Sequence, residues 1–325
     1  ALKKILEAIY EPRFLNCMYG FRPNRGCHDA IKELYKRLNN TKICYIVDAD
    51  IKGFFEHMKH EWIIKFLNLY IKDPNIIGLV KKYLKVGVLD GGKQMMNEEG
   101  SAQGNIISPI LANIYMHNVL TLWYKFIITK ECKGDNFLIV YADDFVAGFQ
   151  YKWEAENYYK LLKERMEKFG LQLEESKSRL LQSGAYIARA KQKSGESTRL
   201  ETFDFLGFTF YCGRSRKGMP YITPKTSSKK FRQKIRDIKV WLYANRDQSL
   251  KKLMGMLNLK LVGHYKYYGI SFNGRMISNY KQQVRELLFK VLNRRSDRKS
   301  YTREGFIEML KYYPLALPKI YVSLF

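Results

Sequence analysis

Long apolar runs are missing from this chain: no uninterrupted stretch approaches the roughly 18 residues that cross a bilayer, which excludes a membrane-spanning helix. The N-terminus carries no secretory pattern, so the expectation is an intracellular, cytoplasmic protein. Cysteine is sparse. Cys17, Cys27, Cys44, Cys132 and Cys212 lie scattered without a C-x-x-C pair, which excludes a disulfide framework or zinc site and suits a reducing compartment. Acid is short as well: 31 Asp and Glu stand against 57 Lys and Arg, a formal charge of +26. A surface so basic selects a polyanion, nucleic acid ahead of an anionic membrane. Apolar residues are plentiful, 46% of 325 positions, enough for two or three cores and incompatible with disorder.

No internal repeat is present. The basic charge is uneven: 223–325 holds 23 Lys and Arg against 6 Asp and Glu, which makes the C-terminal third the stronger polyanion platform. The shift follows the Gly- and Pro-containing stretch "YCGRSRKGMPYITPKTSSKK" (211–230) and sets a domain boundary near 222. Beyond it, "FRQKIRDIKVWLYANR", with Ile235, Ile238 and Leu242 on one stripe, "SLKKLMGMLNLKLVGHYKYYGI" and "YKQQVRELLFKVLNRR" have helical periodicity. Before it, short apolar runs alternate with helical ones. "ICYIVDADI" (43–51) reads as a strand, "HEWIIKFLNLYI" (60–71) as a helix and "SPILANIYMHNVLTLWYKFI" (108–127) as a long helix. "FLIVYADDFVAGF" (137–149) reads as a hairpin, "WEAENYYKLLKERMEKFG" (153–170) as a helix and "FDFLGFTFYC" (203–212) as a final strand or hairpin. The fold class is α/β (α+β), helices packed on a small sheet. The polar run "ARAKQKSGESTR" (188–199) reads as an exposed loop. "ALKKILEAIYEPRF" opens without an N-cap, as if in mid-helix, so residues upstream are expected.

The hairpin 137–149 plants Asp143 and Asp144 between two apolar runs, at or beside its turn. Asp pairs are common in turns because Asp bonds its own backbone, so the doublet alone says little. "IVDADIKGFFEH" supplies further acids: Asp48 and Asp50 lie two apart on extended chain and project toward one face. If the two strands are neighbours, three carboxylates converge, and bunched anions repel unless a cation lies among them. Hard oxygen ligands suit Mg²⁺. Two such ions about 3.5–4 Å apart activate an attacking hydroxyl and steady a leaving oxygen, as in-line phosphoryl transfer and nucleotide addition require.

With "YADD" and its apolar flanks, the chain resembles the group II intron reverse transcriptases, the intron-encoded proteins also called maturases. "YGFRPNRGCHDAI" (19–31), "DADIKGFFEHMKH" (48–60), "EGSAQGNIISPILANIY" (99–115), "LQLEESKSRLL" (171–181) and "ETFDFLGFTF" (201–210) follow in that family's order. "LNLKLVGHYKYYGI" and "LLFKVLNRRSDRKSYTREGF" resemble its thumb, so the likeness covers essentially the whole chain. It implies a right-hand polymerase: partial fingers and palm over 1–222, then a mainly α-helical thumb or maturase (X) domain over 223–325. The family's earlier fingers motifs and an endonuclease domain are lacking, so no target-strand cleavage is expected.

Residue by residue, the resemblance makes Asp50, Asp143 and Asp144 the catalytic triad holding two Mg²⁺ ions, with the peptide carbonyl of Ile51 as a further ligand. Asp50 is preferred to Asp48 because "DIKGFF" is the family's core, which leaves Asp48 as a strand-end surface acid. Phe55 aligns with the aromatic under the incoming sugar, where a bulky ring favours dNTPs. Gln103 and Gly104 align with nucleotide-positioning residues, although "SAQGN" departs from the family's Thr-Pro-Gln-Gly-Gly and puts the level of activity in doubt. Arg22 and Arg25 suit phosphates, Arg22 on the dNTP side and Arg25 on RNA, since guanidinium forks match phosphate oxygens. Lys177 aligns with the lysine near pyrophosphate, and Leu206 and Gly207 with the primer grip. In the thumb, Lys260, His264, Lys266, Tyr268, Arg294, Arg295, Arg298 and Lys299 mix cations with aromatics as RNA contacts.

The function implied is RNA-directed DNA synthesis. Its partners would be dNTPs, a DNA primer, an RNA template and the parent intron RNA, whose splicing and mobility the chain would assist. No membrane is implied, a homodimer is allowed for, and the host would be bacterial. The rivals are a non-catalytic, RNA-binding splicing maturase and a reverse transcriptase serving antiphage defence or CRISPR spacer uptake. A two-metal nuclease explains neither the Gln-Gly nor the primer-grip motif.

Overall fold

The computed structural model describes residues 1–85, 100, 106–295 and 300–325, with backbone alone at 89–90 and 93–94. The chain divides into two compact units, Ala1–Leu206 with Cys212–Ile222, and Gly207–Tyr211 with Thr223–Phe325.

The first unit is organised by a four-stranded antiparallel sheet. Its strands are Tyr45–Ala49 (β1), Asn136–Tyr141 (β2), Asp144–Phe149 (β3) and Arg179–Gln182 (β4), in the order β2-β3-β1-β4. β3 is buried from Phe145 to Phe149, as a strand covered on both faces must be. Helix Lys152–Lys168 supplies cover through Ala155, Tyr158, Leu162 and Met166, a three- and four-residue spacing that places them on one stripe. Helix Ser108–Met116 is buried all round, which accounts for its lack of a polar face. It continues to Glu131 through two wider turns of π geometry, His117–Thr121 and Tyr124–Ile128.

One expectation fails here. The run 188–199 is not all loop, because helix Ala185–Lys193 takes its first six residues and buries Ala185 and Ala188. A helix with so small an inward face has little hydrophobic signature to detect. The stretch 211–230, read as the approach to a domain boundary, contributes after Phe203–Phe205 (β5) to Phe208–Arg214 (β6) and Pro220–Thr226 (β7), in the order β5-β6-β7. Pro220 is tolerated because it begins its strand.

The second unit is helical: Ser228–Ala244, Leu250–Tyr268, Gly274–Leu292 and Arg303–Tyr312. Ser227 caps the first of these by accepting the Lys230 N–H at 3.3 Å. Ile238 and Leu242 are buried with Phe231, while Ile235 is only half-buried. Leu253, Leu257, Leu261 and Tyr265 form the inward stripe of the next helix. Among the described residues no helix is long and apolar enough to cross a membrane.

Candidate active site

β2 and β3 meet in a two-residue turn, Ala142–Asp143, with Tyr141 opposite Asp144. Ala142 has φ +57° and Asp143 does not share the positive sign, which fits a type II′ turn whose first central residue is normally glycine. An alanine in that region stores strain of about 1–3 kcal/mol, so its surroundings must hold it. Residues 17–20 do so along the outer edge of the hairpin. The Val140 N–H donates to the Cys17 carbonyl at 2.8 Å and the Tyr19 N–H to the Val140 carbonyl at 2.8 Å. Gly20 lies so close that a Cβ there would stand 2.4 Å from the Ala142 nitrogen. Asn113, buried within the apolar helix, donates to the Gly20 carbonyl at 2.8 Å. Neither Gly20 nor Asn113 was singled out from the sequence, although a lone amide in an otherwise apolar helix signals a required partner.

β1 and β3 pair Asp48 with Val146 and Ala49 with Phe145, so one further step sets Asp50 opposite Asp144. Directly opposed residues share a face, and Asp48, two back on β1, points the same way. Burial, and then the Asp50 charge, push the Asp143 carboxyl above its usual range. On the other side of β1 the segment 172–178 wraps Asp50. The Glu174 N–H donates to the Asp50 carbonyl at 2.8 Å, the Asp50 N–H to Ser178 Oγ at 3.3 Å, and Lys177 Nζ to Asp50 Oδ2 at 2.6 Å. That last bond raises the Lys177 pKa and keeps the ammonium charged. Asp48 is not the surface acid expected: its side chain is 19% exposed and faces Arg179 Nε at 3.8 Å. Its carboxyl is pushed up to about 7, mainly by burial, with Asp204, Asp144 and Asp50 adding to the shift. Among the described residues no three His, Cys, Asp or Glu side chains are gathered as a ready metal-binding group. Asp50, Asp143 and Asp144 nevertheless bring hard carboxylate oxygens from two neighbouring strands, a donor set that fits Mg²⁺.

Ile51 is buried beside Asp50. Phe55 is half-buried with its ring edge-on to Phe54 at 5.4 Å, while Phe54 is core. Gln103, Gly104, Arg298 and Lys299 lie outside the described residues. Arg22 is a correction. It is 8% exposed, its Nε and Nη2 bind the Glu11 carboxylate and its Nη1 the carbonyls of Leu15 and Met18, so the fork is turned inward and not toward a triphosphate. Arg25 is half-buried, with both terminal nitrogens on Asn16. Leu206 (φ +48°) and Gly207 (φ +80°) are the two central residues between β5 and β6 and suit a type I′ turn, an unusual place for leucine.

In the second unit, Lys260, Lys266 and Arg294 are exposed; Lys260 Nζ lies 4.9 Å from the Trp241 ring centre and Arg294 Nη1 donates to the Tyr243 hydroxyl at 2.9 Å. Arg295 is half-buried, with Nε and Nη2 lacking partners among the described residues. His264 and Tyr268 are further corrections, because the helix phase turns both into the core. Tyr268 packs on Phe208 at 5.2 Å. His264, 8% exposed, stacks on Tyr280 at 3.6 Å, and neither ring nitrogen has a partner among the described residues. Burial, aided by Lys234, pulls its pKa down to about 3. The unfolded chain, at about 6.5, therefore binds the extra proton first. The stability this site contributes is full above pH 6.5 and is lost progressively as pH falls toward 3. His264→Phe should flatten that acid-side loss in melts between roughly pH 4.5 and 7.5, and leave stability at neutral pH within about 1 kcal/mol. A residual slope from His117, held near 4 by burial, should remain.

Residues 1–210 match the family described as reverse transcriptase (RNA-dependent DNA polymerase), and residues 228–307 the group II intron maturase-specific domain. The group II intron-encoded protein LtrA of Lactococcus lactis subsp. cremoris is 39% identical over 135 residues, 42% of this chain and 22% of its own length. An uncharacterized 91 kDa protein in the cob intron of Schizosaccharomyces pombe is 41% identical over 119 residues, 36% of this chain and 14% of its own. The matches thus span under a quarter of these relatives. Among solved structures, telomerase from Candida albicans covers 95% of this chain and 52% of its own at TM-score 0.49 and 12% identity, a likeness too weak to bear on the chemistry. The chain belongs to the reverse transcriptase family, in its group II intron branch, with a maturase-specific domain following the reverse transcriptase domain.

Proposed function

We propose that this chain carries RNA-directed DNA polymerase activity, extending a DNA primer with dNTPs on an RNA template, and that its basic second unit binds intron RNA. The observation that carries the reading is Asp50 set one register step beyond the β1–β3 ladder, opposite Asp144, with Asp143 at the tip of the same hairpin. Mg²⁺, when bound by Asp50, Asp143, Asp144 and the Ile51 carbonyl, would activate the primer hydroxyl and neutralise the triphosphate. Lys177, charged and beside Asp50, is suited to shield negative charge at the departing pyrophosphate or to donate a proton to it. The half-buried Phe55 ring is suited to exclude a 2′-hydroxyl.

Primer extension on poly(rA)/oligo(dT) with Mg²⁺ tests the proposal. If the chain binds RNA and extends nothing, the non-catalytic maturase reading replaces it. RNA binding should itself be strongly salt-dependent, with affinity falling by roughly a thousandfold between about 50 and 200 mM salt if six or more phosphates are neutralised. Reversing the charge of Lys260, Lys266 or Arg294 should lower the slope of log affinity against log salt by about one each, as measured by filter binding.

A further inference from the structure

Asp50 sits where β1 changes partners. The ladder to β4 ends at Asp48 opposite Arg179, and pairing resumes where Ile51 bridges to Leu173. Between these two registers Glu174–Ser178 bows outward, closed by the Lys177 and Ser178 N–H groups on the Glu174 carbonyl at 3.0 and 2.8 Å. An unbroken ladder would offer the Asp50 N–H a carbonyl; at the break, Ser178 Oγ accepts it at 3.3 Å. Ser178 is 7% exposed, and the Tyr159 hydroxyl, from helix Lys152–Lys168, donates to its carbonyl at 3.3 Å. The main chain that carries the hydroxyl is thus held by an element outside the loop.

We infer that Ser178 is a positioning residue for Asp50: its hydroxyl stands in for the missing strand carbonyl and, with the Glu174 N–H on the Asp50 carbonyl, fixes the main chain that aims the Asp50 carboxylate. Lys177 cannot do this, because it grips the carboxylate itself and leaves the main chain unconstrained. The consequence for rate rests on the polymerase reading above; the positional claim does not.

Two variants of the full chain, Ser178→Ala and Ser178→Thr, separate hydroxyl from packing. Ser178→Ala should lower kcat for primer extension by about 10- to 100-fold through misplacement of the carboxylate, while KM for dTTP and RNA affinity stay within about twofold. Ser178→Thr, which keeps the oxygen, should return kcat to within about threefold of wild type. A second readout needs no activity. With ¹⁵N-labelled aspartate, amide exchange at Asp50 should quicken about tenfold in Ser178→Ala and remain slow in Ser178→Thr. Unchanged Asp50 exchange in Ser178→Ala, or equal losses in both variants, would overturn the inference. If the wild-type chain extends no primer, the polymerase reading falls and the exchange comparison alone decides the positional claim.

Discussion

Asp143→Asn should lower primer extension by roughly a thousandfold or more, equivalent to about 4 kcal/mol of transition-state stabilisation, and should leave RNA affinity nearly intact. Asn has the shape of Asp and fits the same hairpin tip, so the turn survives; what goes is the negative charge. Burial and the Asp50 charge already work against that charge, so its removal relieves repulsion between the two strands. The variant is therefore expected to melt at the same temperature as wild type or higher. Loss of rate with gain of stability is the signature of a group kept for chemistry. Single-nucleotide incorporation, thermal melts and RNA binding on the same preparation check the three parts. Retention of more than about a tenth of the activity would remove Asp143 from the catalytic set.

Gly20→Ala should cost about 100-fold in extension, although residue 20 carries no functional group. Its Cβ would meet the Ala142 nitrogen at 2.4 Å and the Tyr141 carbonyl carbon at 3.0 Å, both main-chain atoms of the hairpin turn. Main chain cannot rotate away as a lysine tip can, so either residues 17–20 lift off Val140 or the turn tilts, and the carboxylates move with it. The accompanying loss of stability is about 1–3 kcal/mol, the usual range for overpacking. Gly78→Ala is the control. It lies in helix Pro74–Lys85 with nothing within 4 Å of the added carbon, and should stabilise by roughly 0.5–1 kcal/mol without touching rate. Equal activity in Gly20→Ala and wild type would show that the hairpin tip tolerates displacement.

What was legible in the sequence was local. The hairpin 137–149 announces itself because two apolar runs flank a polar pair symmetrically, and β1 because "CYIV" is unbroken. The proposed partnership of Asp50 with the doublet depends on the strands being adjacent, and the β1–β3 register makes them neighbours up to Ala49 and Phe145. Arg22 misled because a guanidinium suits phosphate and carboxylate equally, and nothing local shows that Glu11 folds back to occupy it. The helix phase of "LVGHYKYYGI" could have been followed further: Leu257, Leu261, Tyr265 and Tyr268 continue one stripe, which puts His264 beside it and Lys266 on the outside. The role of Gly20 was out of reach, since a close approach between distant segments leaves no periodicity.

The seam between residues 17–19 and Val140 also bears on how the first unit can be cut. Those few residues are the covering of the sheet's outer margin. A fragment starting at Pro23 would bare the Val140 N–H and carbonyl beside apolar side chains, an invitation to strand-swapped aggregates. Expression boundaries placed upstream of Cys17 keep that margin sheathed.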